Sequence, residues 1–207
     1  MILVILIGLS AILAIMAEYR RARWAVYIFK PLTTFLIVLI GALAIPSDRW
    51  YQALIVAGLL FSLIGDVFLM LPGNRFVAGL ISFLFGHLCY IGAFVWGDGP
   101  RVSGWLLPGL IYFAVLMYFL WPHAGALKVP VLIYGVVITV MLWQAVERAA
   151  ALPTFSSGSA AMGAALFVLS DSALAWNRFV RPFRAAQALV LGTYWAGQSL
   201  IALSVNS

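Results

Sequence analysis

Along the chain, hydrophobic positions gather into eight nearly unbroken runs, at 1–17, 25–45, 51–71, 76–96, 103–121, 129–146, 159–177 and 185–204. Each approaches the about 20 residues that an α-helix needs to cross a hydrocarbon core. Short turns rich in proline, glycine and charge separate them, such as Pro46-Ser47-Asp48-Arg49 and Pro72-Gly73-Asn74-Arg75. Connections that short make successive helices antiparallel neighbours. The pattern predicts an all-α polytopic membrane protein of about eight transmembrane helices, with residues 1–207 as a single transmembrane domain. The first run has the apolarity of a signal sequence. No positive charge precedes it, however, and Glu18 and three arginines follow, so it reads as a retained helix.

Composition narrows the class. Hydrophobic residues make up 65% of the chain and charged ones only 9%, whereas a soluble domain carries roughly 25% charge. A water-facing surface cannot be built from such a sequence. Nine of the twelve Lys and Arg residues fall in alternate loops or beside them, against Arg49, Arg101 and Arg148 on the other side. That asymmetry places both termini outside and the basic loops in the cytoplasm. It also accounts for the net charge of +6 without nucleic acid; anionic lipid headgroups are the natural partners. Compactness and the absence of tails point to a bacterial inner membrane. Cys89 is the only cysteine, which rules out an intrachain disulfide, and His87 and His123 are too few for a His-rich metal site. No metal set and no cofactor-binding motif is expected.

An internal echo suggests duplication. Gly65-Asp66 precedes Asn74-Arg75-Phe76-Val77, and Ser170-Asp171 precedes Asn177-Arg178-Phe179-Val180. The copies lie four helices apart and therefore share one orientation, as two parallel four-helix repeats over 1–96 and 103–204 would.

Asp66 and Asp171 are the residues most suited to chemistry. An aspartate at the centre of a membrane helix costs about 2.5–3.5 kcal/mol on insertion scales, so such acids are rare and usually functional. These two sit at matching depth, one to two turns from the cytoplasmic ends of their helices. The bland reading is that each merely pins helices together. His87 shares a helix face with Phe83, Tyr90 and Phe94. Helix eight carries a polar stripe of Gln187, Tyr194 and Gln198, which must face protein or a wet cavity. Arg178 follows Asp171 by seven residues and is suited to binding a phosphate or to serving only as an orienting charge at the interface. Lys30-Pro31 opens the second helix, with Lys30 either snorkelling or reaching a headgroup. Trp24, Trp50, Trp96, Trp105 and Trp121 read as an interfacial belt. There is no phosphate-binding glycine loop, no G-x-S-x-G elbow and no H-E-x-x-H. Two acids without a metal set suit acid–base hydrolysis. They suit proton relay in a small proton-coupled transporter or lipid flippase equally well. A non-catalytic lipid-binding scaffold would need no matched acids.

At these same positions the sequence resembles the lysoplasmalogenase family, the YhhN-like membrane proteins related to animal TMEM86 proteins. The matching pieces are Lys30-Pro31-Leu32-Thr33 and Leu63-Ile64-Gly65-Asp66-Val67-Phe68-Leu69, then Phe76, Gly79-Leu80, Phe83, His87 and Tyr90. Ser170-Asp171-Ser172-Ala173-Leu174-Ala175, Phe179, Thr193-Tyr194 and Gln198 complete the order, while Trp176-Asn177-Arg178 departs from a pattern in which lysine is common. The resemblance implies hydrolysis of the vinyl ether bond of a lysophospholipid, the lysoplasmalogen, to a fatty aldehyde and a glycerophospho-ethanolamine or -choline. Asp66 and Asp171, at matched depth and in a repeated context, are the expected catalytic pair, one giving a proton to the alkenyl carbon and the other stabilising the cation. Lys30, Asn74, His87, Tyr90, Asn177, Arg178, Tyr194 and Gln198 are the expected substrate-binding residues.

Overall fold

The computed structural model describes residues 2–73 and 75–206, so Asn74 lies outside the described residues. Among these the chain forms eight α-helices and no β-ladder. They are α1 Ile2–Tyr19, α2 Arg23–Leu43, α3 Arg49–Met70, α4 Phe76–Phe94, α5 Leu106–Leu120, α6 Lys128–Ala151, α7 Phe155–Ala175 and α8 Ala186–Leu203. Six of them, α1 to α4 with α6 and α7, are long and apolar enough to span a membrane. The α5 helix is shorter, at 15 residues. The α8 helix has 18, diluted by Gln187, Tyr194 and Gln198. Side chains such as Ile5, Phe35, Phe85 and Tyr118 stand exposed on the outside of the bundle, where acyl chains would cover them. Trp24, Trp50, Trp96, Trp105 and Trp121 are exposed at helix ends, as a headgroup-level belt requires.

Two local expectations are corrected. Pro31 does not open its helix: α2 begins at Arg23 and Pro31 lies inside it. A proline there removes one backbone donor, which membrane helices tolerate because hydroxyls and neighbouring helices satisfy nearby groups. Beside the proline, the Ser10 and Thr33 hydroxyls both donate to the Phe29 carbonyl, at 3.1 and 2.7 Å, tying α1 to α2. The sixth helix runs past residue 146 to Ala151, because the charges that look like a loop are satisfied along it. Glu147 accepts from Ser103 and Trp143 at 2.6 and 2.8 Å, and Arg148 donates to Tyr51 and Ser156 at 3.2 and 3.3 Å. At that end Asp48 caps α3, and the Tyr51 backbone N–H, then the Trp96 indole and the Trp50 N–H, hold its carboxyl below the usual carboxylate value.

The core lies between α2, α3, α4, α6, α7 and α8. The α3 helix packs on α4 as α7 packs on α8, and α6 crosses α4 as α2 crosses α8. Both tight pairs use glycine. A Cβ on Gly86 would sit 3.0 Å from the Gly58 carbonyl, and one on Gly163 2.7 Å from the Gly197 carbonyl. Small residues let membrane helices approach until backbones touch, which brings the acids on α3 and α7 toward the bundle axis. By contrast, α5 buries only Met117 and Leu120 and packs chiefly on α6 and on a π-turn, Trp176–Val180, that extends α7.

Gly163→Val should therefore force α7 and α8 apart at a cost of about 1–3 kcal/mol. A lowered thermal midpoint in detergent, relative to Gly158→Val where a Cβ meets open space, is the expected outcome.

Candidate functional site

Asp66 is 2% exposed and Lys30 8%, so a charge on either needs a partner nearby. The two are each other's: Lys30 Nζ lies 3.7 Å from Asp66 Oδ1. The other carboxyl oxygen, Oδ2, accepts from Thr34 Oγ1 at 2.6 Å and from the Tyr194 hydroxyl at 2.8 Å. Thr34 is fixed in turn by the Trp195 indole N–H at 3.1 Å. Lys30 and Thr34 stand one turn apart on α2, while Tyr194 and Trp195 come from α8. Three helices thus converge on one carboxyl.

Asp171 is held differently. It is half-buried, and its Oδ2 accepts from the Tyr134 hydroxyl of α6. Beside it Ser172 Oγ accepts from the Tyr112 hydroxyl of α5 at 2.8 Å and donates to the Val168 carbonyl at 2.7 Å. Behind Tyr134 stands His87, its ring 5.2 Å from that of Tyr134 and 4.6 Å from that of Phe167, both edge-on. Neither imidazole nitrogen has a hydrogen-bond partner among the described residues.

Both aspartates line one cleft of about 440 Å³ at the basic end of the bundle, together with Lys30, Asn177, Arg178 and Tyr194. Arg178 lies over the Phe76 ring, 3.8 Å from its centroid. The side-chain oxygen of Asn177 accepts from the backbone N–H of Phe183 at 3.1 Å, steadying the turn into α8. Gln187 lies at the mouth. Asp171 also lines a second, narrow apolar slot of about 70 Å³ between α4, α5, α6 and α7.

Of the residues singled out by sequence, Lys30, Asp66, Asp171, Asn177, Arg178 and Tyr194 meet in the cleft. Tyr90 and Gln198 do not line it: the Tyr90 hydroxyl donates to Gln198 Oε1 at 2.6 Å, deep in the core. His87 does not line the cleft and reaches it through its ring contacts with Tyr134 and Phe167. Tyr134 and Thr34 were not anticipated as partners of the acids. A signal existed for Tyr134, which precedes Asp171 by 37 residues much as Lys30 precedes Asp66 by 36. Among the described residues no three His, Cys, Asp or Glu side chains gather as a metal site.

Fold and site together define a helical integral membrane protein with two acids in a cleft open at its basic end. The chain belongs to the YhhN family, whose model matches residues 25–205. It is 32% identical over 203 residues to the uncharacterized membrane protein YhhN of Escherichia coli O157:H7, covering 97% of both chains. It is 34% identical over 166 residues to lysoplasmalogenase TMEM86B of Sus scrofa, covering 79% of this chain and 68% of that one. To lysoplasmalogenase TMEM86A of Homo sapiens it is 36% identical over 158 residues, 72% of this chain and 64% of that one. No solved structure matches.

Removing one member of a buried ion pair strands the other, at a cost of about 3–5 kcal/mol, whereas replacing both with apolar groups is often neutral. Lys30→Met should lower the unfolding midpoint sharply, and Lys30→Met/Asp66→Leu should recover most of the loss. A double-mutant cycle of thermal unfolding in detergent checks this.

Proposed function

We propose that this protein is a membrane hydrolase that cleaves the vinyl ether bond of lysoplasmalogens, releasing a fatty aldehyde and a glycerophospho-ethanolamine or -choline. The single observation that carries the proposal is that Asp66 and Asp171 line one cleft at the basic end of the bundle. The relatives named lysoplasmalogenase support the substrate.

The surroundings of the two acids support a division of labour. Asp66 faces an ammonium and two hydroxyl donors, an arrangement that favours a fixed carboxylate. Asp171 has one phenolic donor and borders both the cleft and the apolar slot. In this reading Asp171 is the acid. It gives its proton to the alkenyl carbon remote from oxygen, and the electron pair of the double bond forms the new C–H bond. The ether oxygen shares its lone pair with the adjacent carbon, giving an oxocarbenium ion. The Asp66 carboxylate stabilises that cation electrostatically, as one of two acids does in glycoside hydrolysis. Water adds to the cationic carbon and loses its proton to the Asp171 carboxylate, restoring the acid. The hemiacetal then collapses to aldehyde and alcohol. Tyr134 and Tyr194 act as positioning residues, each orienting one carboxyl.

The phosphate of the substrate lies toward Arg178 at the basic end. Lys30, which serves Asp66, is not available to it. The matched placement of the acids, of the glycine contacts, and of Lys30 with Tyr134 supports a reading of the fold as two four-helix repeats sharing one site.

Purified protein incubated with lysoplasmenylethanolamine should release aldehyde, which separates hydrolysis from transport or mere binding. Losing a general acid or its partner typically costs 10²–10⁴-fold. Asp171→Asn and Asp66→Asn should each lower kcat by about that factor, whereas Arg178→Ala should mainly raise KM. Normal turnover by either inserted Asn variant would remove that residue from the mechanism.

A further inference from the structure

We infer that the slot between α4, α5, α6 and α7 receives the hydrocarbon chain of the substrate, and that Phe113, Gly135 and Ile138 set how long a chain is favoured. The inference rests on the hydrolase reading and adds to it a place for the tail and a moving part.

The slot abuts the cleft at Asp171, which lines both, as do Leu69, Phe76, Phe83 and Leu174. A lipid with its phosphate near Arg178 and its vinyl ether at Asp171 would lay its tail along this apolar slot. That direction leads past Tyr134 and Gly135 toward Phe113, Ile138 and Val168, all of which line the slot. With the basic ends in the cytoplasm, it runs from the headgroup level toward the bilayer centre, as a lipid tail does. Apart from Asp171, its polar side chains are chiefly hydroxyls already engaged. Tyr134 donates to Asp171, Tyr112 to Ser172, and Thr139 to the Gly135 carbonyl at 2.7 Å. No charged partner for a second polar group is offered along the way, so the occupant is hydrocarbon.

At about 70 Å³ the slot is too narrow for a long chain unless a wall moves. The movable wall is α5. It buries only two residues, exposes Leu107, Ile111 and Tyr118 to the lipid side, and is tied to α7 by the Tyr112–Ser172 hydrogen bond. Outward displacement of α5 opens the slot sideways to the bilayer, giving a lysolipid entry without leaving the membrane. Gly135 sets the closed width: a Cβ there would meet the Phe113 ring at 2.5 Å. Any side chain at position 135 therefore competes with Phe113 or with the tail.

Burial of one methylene changes affinity by about fourfold, so blocking a few of them shifts specificity well beyond error. The test compares kcat/KM for hexadecenyl and octenyl lysoplasmenylethanolamine. Ile138→Trp should lower the long-to-short ratio at least about tenfold, and Ile111→Trp, on the lipid side of α5, should leave it unchanged. An active Ile138→Trp with the wild-type ratio overturns the slot. A labelling arm needs no turnover. A lysophosphatidylethanolamine with a saturated ether chain ending in a diazirine is photolysed in the wild-type protein, beside a diacyl diazirine lipid as the bulk-membrane control. Labels concentrated in Leu106–Leu120 and Lys128–Ala151, beyond those of the control, are expected. A pattern equal to that of the control overturns the inference. If wild type releases no aldehyde from either substrate, the hydrolase reading fails, and the labelling pattern still decides whether the slot binds chains.

Discussion

A carboxyl enclosed among membrane helices is tolerated only if other groups take over the role of water, and the Asp66 site is organised around that requirement. Lys30 from α2, Thr34 one turn further along, and Tyr194 from α8 all aim at it. Because those partners come from separate helices, the carboxyl fixes how α2, α3 and α8 sit together. The backbone contacts at Gly58–Gly86 and Gly163–Gly197 then bring the second acid to the same cleft. Charge neutralisation and close helix packing are here two sides of one arrangement.

The two acids differ in what surrounds them, and that difference is what chemistry needs. A pair of identical environments would give two acids competing for one task. Here one carboxyl is enclosed by a cation and hydroxyls, while the other meets a phenol, a polar cleft and an apolar slot. The second position is where a molecule with a polar head and an apolar tail would present the bond joining them. In the proposed reading the arrangement would couple lipid orientation to proton delivery: a tail in the slot and a phosphate at the basic end would leave the enol ether beside Asp171.

Much of this architecture was legible in the hydrophobic pattern. Eight runs gave eight helices, and the isolated acids stood out because their apolar runs, 51–71 and 159–177, hold no other acid, lysine, arginine or histidine. What the pattern could not supply was partnership. Lys30 beside a helix end reads as a snorkelling cation, and only the packing of α2 on α3 turns it toward Asp66. Tyr134 lies in an apolar run where a tyrosine reads as filler, and its hydroxyl gains meaning only when α6 meets α7. Tyr194 and Gln198 of the polar stripe are buried while Gln187 is exposed, and a stripe does not say which neighbour it meets. Tyr194 reaches Asp66 and Gln198 reaches Tyr90. Glu147 and Arg148 looked like the end of a helix because their distant partners, Ser103, Tyr51 and Ser156, are invisible to periodicity.

In the proposed reaction an acid in this cleft protonates the alkenyl carbon of a lysolipid. Turnover in deuterium oxide, with the aldehyde reduced by borohydride as it forms, tests it directly by mass spectrometry. A fatty alcohol carrying a single deuterium on the carbon next to the former carbonyl is expected from the wild-type protein and is lost with Asp171→Asn. An aldehyde released without deuterium at that carbon would contradict it.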